Sequence, residues 1–413
     1  MSIETAAKDM ASRILRLEQV EILCHHDADG IAAGAIMSLA LYRAHIPFRL
    51  RVTPRVHSEN IPKGKNTLLC DLGSGIADLP EDTMVIDHHL PQFEGPYHVN
   101  PRLAGINGDR ELSGAGTAYL VANAIGDNRD LAGLVLTGII GDGQQLTGKN
   151  QEIFLEGVGN GIIAKKRGLM LPGRDVSEKL TLAATPFLPG ISGKEDEIAS
   201  LIRSCTPDGK DPAPDILNSM LIFKAAEFCR PDALLNIYGD IYQLQREVVE
   251  DAHTMTMLID SCGKEGEGSL AASICLRSST DLSTAWEVAR SHRIKLISEL
   301  ENAFTNPAAG TDGVYEIRDK RLASDVADSI NGCMERPDSP LIVVARQDDG
   351  TCHLSIRVAQ TSQNQEGSDL GTLVHALALE SGGYGGGHTT RAGATIACEH
   401  LSRFITGITR VYA

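Results

Sequence analysis

Short apolar runs recur along the first 150 residues, each ending abruptly in polar residues, with helical spacing in the stretches between them. Residues 20–24, 48–53, 66–70 and 83–86 read as strands, because each is a brief apolar or β-branched run closed by turn-forming residues. Residues 31–43, 114–125 (opened by Ser113) and 131–140 carry helix patterns. The alternation of strand and helix predicts an α/β domain built on a doubly wound parallel sheet. Beyond it, residues 151–234 read as mainly helical, broken by Pro-Gly pairs at 172–173 and 189–190 and by a Pro/Asp/Gly-rich stretch at 206–215. Residues 235–261 form a long helical pattern closed by the Gly/Glu/Lys stretch 263–268. The expected organisation is therefore a catalytic core at 1–150, a helical extension at 151–234 and a linker helix at 235–268. A smaller mixed α/β domain follows at 269–413, with strands at 341–345 and 354–358 and a glycine-rich run at 382–388.

Composition narrows this picture. A chain of 413 residues needs more than one core. No apolar run reaches the length of a membrane span, and the polar amphipathic first 19 residues lack the features of a secretory signal, so the expectation is a cytoplasmic protein without membrane contact. Nine cysteines with no CxxC pair predict neither a zinc ribbon nor a disulfide framework, but buried reduced thiols. A net charge of −16 argues against a broad nucleic-acid platform. It leaves room for a phosphodiester substrate in a confined cleft, where bound dications would invert the local sign.

The chemistry lies at the strand ends. HHDADG (25–30) follows the first strand and DHH (87–89) follows the fourth, and together they present three aspartates and four histidines. Parallel sheets carry their chemistry at these carboxyl ends. Asp71 follows another strand, and Asp142 stands between two glycines. His25, Asp27, Asp29, Asp71, His88 and Asp142 make a ligand set whose four carboxylates would balance two divalent cations, with imidazoles adding affinity without charge. Ions held about 3.5–4 Å apart suit in-line attack at phosphorus. Singly, an Asp-Gly after a strand is usually a turn; the repetition at strand ends is what carries the inference.

HHDADG, CDLGSG, VIDHH and GIIGDG, in that order, resemble the four motifs of the DHH phosphoesterase family. The late GGYGGGHTTRAGA resembles the signature of the DHH-associated C-terminal domain. The RecJ-like subgroup, and within it the archaeal single-strand exonucleases, is the most similar in length and motif. The resemblance implies that Asp27, Asp29, Asp71, Asp142 and His88 bind metal, with Asp71 bridging. It implies that Asp87 orients an imidazole and that His89 faces the substrate phosphate. Position 23, where several subgroups carry a histidine, is Leu23 here, and His25 takes the ligand role as in archaeal RecJ-like sequences. In the C-terminal domain, Gly385, Gly386 and Gly387 would let backbone N–H groups approach a phosphate, with His388, Arg391 and Arg357 contacting substrate.

The implied function is metal-dependent hydrolysis of single-stranded DNA or short RNA to nucleoside 5′-monophosphates, using two ions, manganese first and magnesium second. The same ligands would serve an oligoribonuclease, a bisphosphonucleoside phosphatase or a cyclic-dinucleotide phosphodiesterase. A family II-type pyrophosphatase is disfavoured by the glycine-rich signature and by Leu23. A non-catalytic scaffold in a GINS-type replication complex is the remaining alternative; a scaffold would be expected to have degraded ligands.

Overall fold

The computed structural model describes residues 1–62, 64–206, 212–305, 313–334, 339–359 and 369–412. In chain order the first elements are α1 (Ile3–Ile14), β1 (Val20–Cys24), α2 (Ala28–Arg43), β2 (Phe48–Val52), β3 (Thr67–Cys70), β4 (Met84–Ile86) and β5 (His98–Val99). Then come α3 (Gly114–Ile125), α4 (Ala132–Gly141), α5 (Gly148–Gly159), β6 (Ile163–Leu169), α6 (Val176–Thr181), α7 (Glu195–Ser204), α8 (Pro214–Ala225) and α9 (Pro231–Leu235). β7 (Tyr238–Leu244), α10 (Ala252–Lys264), α11 (Gly268–Cys275) and α12 (Leu282–Thr305) follow. The chain closes with β8 (Val314–Ile317), α13 (Ala323–Cys333), β9 (Leu341–Arg346), β10 (Thr351–Arg357), α14 (Leu370–Glu380), β11 (Tyr384–Gly387), β12 (Arg391–Ala397) and α15 (Leu401–Tyr412).

These elements fold as two compact units. One comprises Met1–Lys166 with Asp240–Arg290, the other Arg167–Gly239 with Ser291–Ala413. The first holds a parallel sheet in the order β2-β1-β3-β4-β5, so the strand order reverses beside β1. Such a reversal leaves a crevice at the carboxyl ends of β1 and β3. β3 and β4 are buried along their whole length, as central parallel strands require. α2 and α4 are buried almost all round, because Ala, Gly and Ser let neighbouring helices approach closely.

The second unit carries a mixed sheet ordered β11-β12-β10-β9-β8, antiparallel except for the β8–β9 pair. Val344, Leu354 and Ile356 pack with Val374 of α14 and Phe404 and Ile408 of α15. On the opposite face, Leu341 and Val343 join α13 and the helices of 171–234 in a second core.

Three expectations are corrected. Residues 235–268 do not form a linker helix. Tyr238–Leu244 is instead a strand, with Met170 N donating to Ile237 O and Gln245 N to Ile162 O at its two ends, and the helix begins only at Ala252. Pairing with β6 outweighs local helix preference, which is a weak prior. The boundaries also shift: the first unit runs to Lys166 and takes in Asp240–Arg290, while Arg167–Gly239 joins the second unit instead of extending the first. Part of the 206–215 breaker stretch lies outside the described residues. Cysteine usage is corrected at one pair: Cys352 and Cys398 are disulfide-bonded across 46 residues, while the other seven are free and buried. No local spacing announced the bond. It follows from the β10–β12 register, which sets Cys352 opposite Ile396, two residues before Cys398.

Candidate metal centre

The carboxyl ends of β1, β3 and β4 deliver the first ligands. Leaving β1, the chain passes through His25 and His26 into Asp27, which caps α2 by accepting a hydrogen bond from Gly30 N at 2.9 Å. Gly30 is required there, because a Cβ would press on the His25 carbonyl at 2.7 Å. Asp29, in the first turn of α2, is fully buried. Its oxygens accept hydrogen bonds from Gly114 N (2.6 Å) and Ala115 N (3.0 Å), the exposed N–H groups that open α3. Asp71 adopts a left-handed backbone (φ 57°) directly after β3, a conformation that aspartate tolerates better than most residues. Asp142 caps the C-terminal end of α4.

These side chains converge. His25 Nδ1 lies 2.8 Å from Asp27 Oδ2 and 3.6 Å from Asp71 Oδ2. His88 Nε2 lies 3.2 Å from Asp71 Oδ1, 3.3 Å from Asp142 Oδ2 and 3.7 Å from Asp29 Oδ2. His25, Asp27 and Asp71 form one compact donor set, and Asp29, His88 and Asp142 form another. Asp71 reaches both through different oxygens.

Neighbouring groups aim the imidazoles. His88 Nδ1–H donates to Gly108 O at 2.6 Å, which turns Nε2 toward the carboxylates. Gln144 Nε2 donates to the same carbonyl (2.9 Å) and to Asp142 Oδ2 (3.3 Å). Asp87 is buried and accepts from His88 N, His89 N and His89 Nδ1–H through Oδ1, and from Ser74 N through Oδ2. Asn100 donates to Ser74 Oγ and to the His89 carbonyl, both at 2.9 Å. Because the Phe93 carbonyl can only accept, His98 Nδ1–H donates to it, and Nε2 of the neutral ring accepts from the Ser74 hydroxyl at 2.8 Å.

The electrostatics are those of a site short of positive charge. Burial raises the Asp29 carboxyl well above its ordinary range, with repulsion from Asp142 and Asp71 adding to the effect. Burial lifts Asp142 to about 6, partly offset by His88 and reinforced by Asp71. Burial would depress His25 and His88, but facing carboxylates outweigh it and hold both well above the usual imidazole value. Asp87 is held low against burial by His89 and its hydrogen bonds. Asp71 Oδ1 and His25 Nδ1 are buried atoms for which no hydrogen bond of acceptable geometry exists. Such atoms fit cation ligands, and the carboxylate-imidazole chemistry suits manganese, magnesium or zinc.

Sequence reading had passed over the glycines that make this space. A Cβ at Gly138 would fall on Asp29 Oδ1, one at Gly114 would lie 2.7 Å from Asp71 Oδ1, and one at Gly108 would strike the His88 carbonyl. Gly138 lies inside the GIIGDG motif already noted, so the signal was present but its purpose was steric. Ser74 likewise lies inside the CDLGSG motif, whereas His98 and Asn100 left no readable signal, since each acts through contacts distant in sequence.

Apart from His89, the residues expected to contact substrate lie in the second unit, and they are less uniform. Gly385, Gly386 and Gly387 form an edge strand rather than a loop, paired to β12. His388 N donates to Arg391 O at 2.7 Å. Arg391 is partly exposed, with its guanidinium 3.9 Å from Asp328. Arg357 departs from expectation. It is 4% exposed, and its guanidinium is spent on Asp328, Ser324, Ser355 and the Ile356 carbonyl. A guanidinium so engaged has no face for a substrate.

Residues 19–139 match the DHH family, N-terminal domain, and residues 314–412 match the DHHA1 domain. This chain belongs to the DHH family. An uncharacterized protein of Methanocaldococcus jannaschii is 24% identical over 99% of the chain and 97% of its own length. RecJ of Thermus thermophilus, crystallised with Mn2+, aligns over 99% of the chain with a TM-score of 0.56 and 18% identity. The chain spans 54% of that RecJ, about half of its length. CDC45 of Entamoeba histolytica aligns over 99% of the chain and 98% of its own length, with a TM-score of 0.59 and 10% identity. The DHH family match goes with a fold that RecJ and CDC45 share. No helix among the described residues is long and apolar enough to cross a membrane.

Proposed function

We propose that this DHH-family chain is a metal-dependent phosphodiesterase that degrades single-stranded DNA or short RNA to nucleoside 5′-monophosphates. The observation that carries the reading is the sharing of Asp71 between the His25–Asp27 and Asp29–His88–Asp142 donor sets. Two divalent ions, manganese foremost, would be held by those six residues, neutralising charge at the phosphorus and making an attacking water more acidic. The chain's own work is positional. The N-terminus of α3 fixes Asp29, and Gly108 fixes the His88 ring. Asp87 holds His89 by Nδ1–H, orienting an imidazole that would donate a hydrogen bond or proton to a phosphate oxygen. In the DHHA1 domain, the Gly385–Gly387 strand with His388 and Arg391 would receive a phosphate; Arg357 would steady Asp328 beside Arg391 instead of touching substrate.

A scaffold role, the reading that the CDC45 likeness invites, would require none of these donors, yet all six are in place. End-labelled single-stranded DNA and RNA of several lengths, incubated with manganese, test the proposal. Mononucleotides should accumulate, chelator should stop them, and Asp29→Ala, Asp71→Ala or His88→Ala should cost at least about a hundredfold in rate. Wild-type rates in those variants would refute it, and a chain inert on every substrate would favour the scaffold.

A further inference from the structure

β2 is an edge strand of the catalytic sheet, and its exposed side is basic. Phe48, Leu50 and Val52 are half-buried, whereas Arg49 and Arg51 are exposed. Past the strand the alternation breaks at Thr53 and Pro54, and exposed basic positions resume at Arg55. Arg55 and His57 are exposed, while Val56 packs against Leu23, Ile61, Leu69 and Val85. Thus 49 and 51 on the strand, and 55 and 57 past a bend at Pro54, carry three guanidiniums and an imidazole at exposed positions. Thr53 Oγ1 accepts from Arg55 N at 3.4 Å and donates to Arg55 O at 2.7 Å, fixing the turn-out after the strand. Glu21, whose carboxylate lies 3.6 Å from Arg51, offsets part of this charge.

The stripe is aimed. Val52 stands opposite Cys24 in the parallel register, and Thr53 N donates to Cys24 O, so the stretch leaves the sheet alongside His25. Three arginines so placed in a chain of net charge −16 form a local exception. Arginine on an edge strand also deters strand-to-strand aggregation. That role explains Arg49 and Arg51. It does not explain Arg55 and His57, which lie beyond the strand and are exposed two residues apart.

We propose that Arg49, Arg51, Arg55 and His57 form a backbone track along which a single-stranded nucleic acid lies on its way to the metal centre. This rests on the phosphodiesterase reading and selects polymeric strands over mononucleotide-sized substrates. Side chains two apart on a strand repeat every ~6.6–6.8 Å. An extended single strand can match that step with one phosphate per side chain, whereas duplex phosphates rise only about 3.4 Å along each strand. The contacts are to phosphate, so the track reads no sequence.

The test uses the full chain and an Arg49→Gln/Arg51→Gln/Arg55→Gln variant, with binding of fluorescent oligonucleotides followed by anisotropy across a salt series. Affinity for a strand of about 20 nucleotides should fall about tenfold or more, and the slope of log K against log salt should become shallower by about 2. With manganese, the ratio of kcat/KM on the long strand to that on a dinucleotide should fall with it. An unchanged slope and ratio would overturn the track, and so would equal losses on both lengths. Displacement of the strand from wild type by polyglutamate at matched charge would also overturn it, pointing to an acidic protein partner. Steep, variant-sensitive strand binding by a wild type that hydrolyses nothing would uphold the track and sink the phosphodiesterase reading, so the two failures are separable.

Discussion

Replacing Gly138 by alanine is a small change with a large expected effect. The added methyl would fall on Asp29 Oδ1 and lie 2.8 Å from the Ala115 methyl, so it cannot be absorbed by rotating a flexible side chain. Asp29 would have to retreat by about 1 Å to regain van der Waals separation. It would then lose its 2.6 and 3.0 Å hydrogen bonds from Gly114 N and Ala115 N. A displacement of that size at a reacting centre costs on the order of a hundredfold in rate. Stability should change far less. Alanine in a helix interior gains about 1 kcal/mol over glycine, against about 1–3 kcal/mol for overpacking. The assay is manganese-dependent hydrolysis of a labelled strand beside thermal melting of the metal-free protein, with Gly159→Ala in α5, where a Cβ meets nothing within 4 Å, as the steric control. A Gly138→Ala protein with normal turnover and normal manganese affinity would refute the claim that this cradle sets Asp29.

Metal uptake near neutral pH should release protons, because His25 and His88 are held protonated by facing carboxylates and Asp29 and Asp142 are raised by burial, Asp142 to about 6. Affinity should weaken as pH falls, and calorimetry in two buffers of different ionisation heat reads the proton count; a count of zero would contradict the site's electrostatics. In the second unit, Asp328 is brought to about 2, with burial opposed by Arg357 and Arg391. A carboxyl lowered on folding stabilises at pH above its unfolded value near ~4, and that contribution drains away as pH falls through about 2. Arg357→Gln should cost about 2–3 kcal/mol at neutral pH and flatten the melting profile between those limits, whereas parallel profiles would refute the pairing. Asn100→Ala should free the His89 carbonyl and Ser74, lowering kcat by about tenfold while manganese affinity holds; a matching loss of metal affinity would mean that Asn100 serves the ligands themselves.

What could be read in the sequence was whatever is encoded by neighbours in the chain. The strands before His25, Asp71 and Asp87 announce themselves by unbroken apolar runs, and the helix behind Ser113 by its cap, so the parallel sheet and its reactive edge followed directly. Tyr238–Leu244 was misread because its partner strand lies some 70 residues earlier, and pairing across such a gap leaves no local periodicity. Arg357 was recognised as notable, but Asp328, which consumes its charge, sits on a helix with no motif. Gly138 and Gly108 were visible as letters, yet only three-dimensional neighbours reveal that they are empty volume for Asp29 and His88.

The unit that holds the candidate metal centre is written in two separate pieces of chain, and this governs how the protein can be dissected. Asp260 accepts from Ala28 N at 3.3 Å, and Gly263 leaves room for the His26 carbonyl. The helix bearing both is made about 230 residues after the loop it braces. On the ribosome, HHDADG must therefore wait for α10 to emerge before its backing is complete, and a fragment cut after residue 166 would carry every ligand without that brace. A minimal active version would need 1–166 and 240–290 rejoined by a short engineered connection.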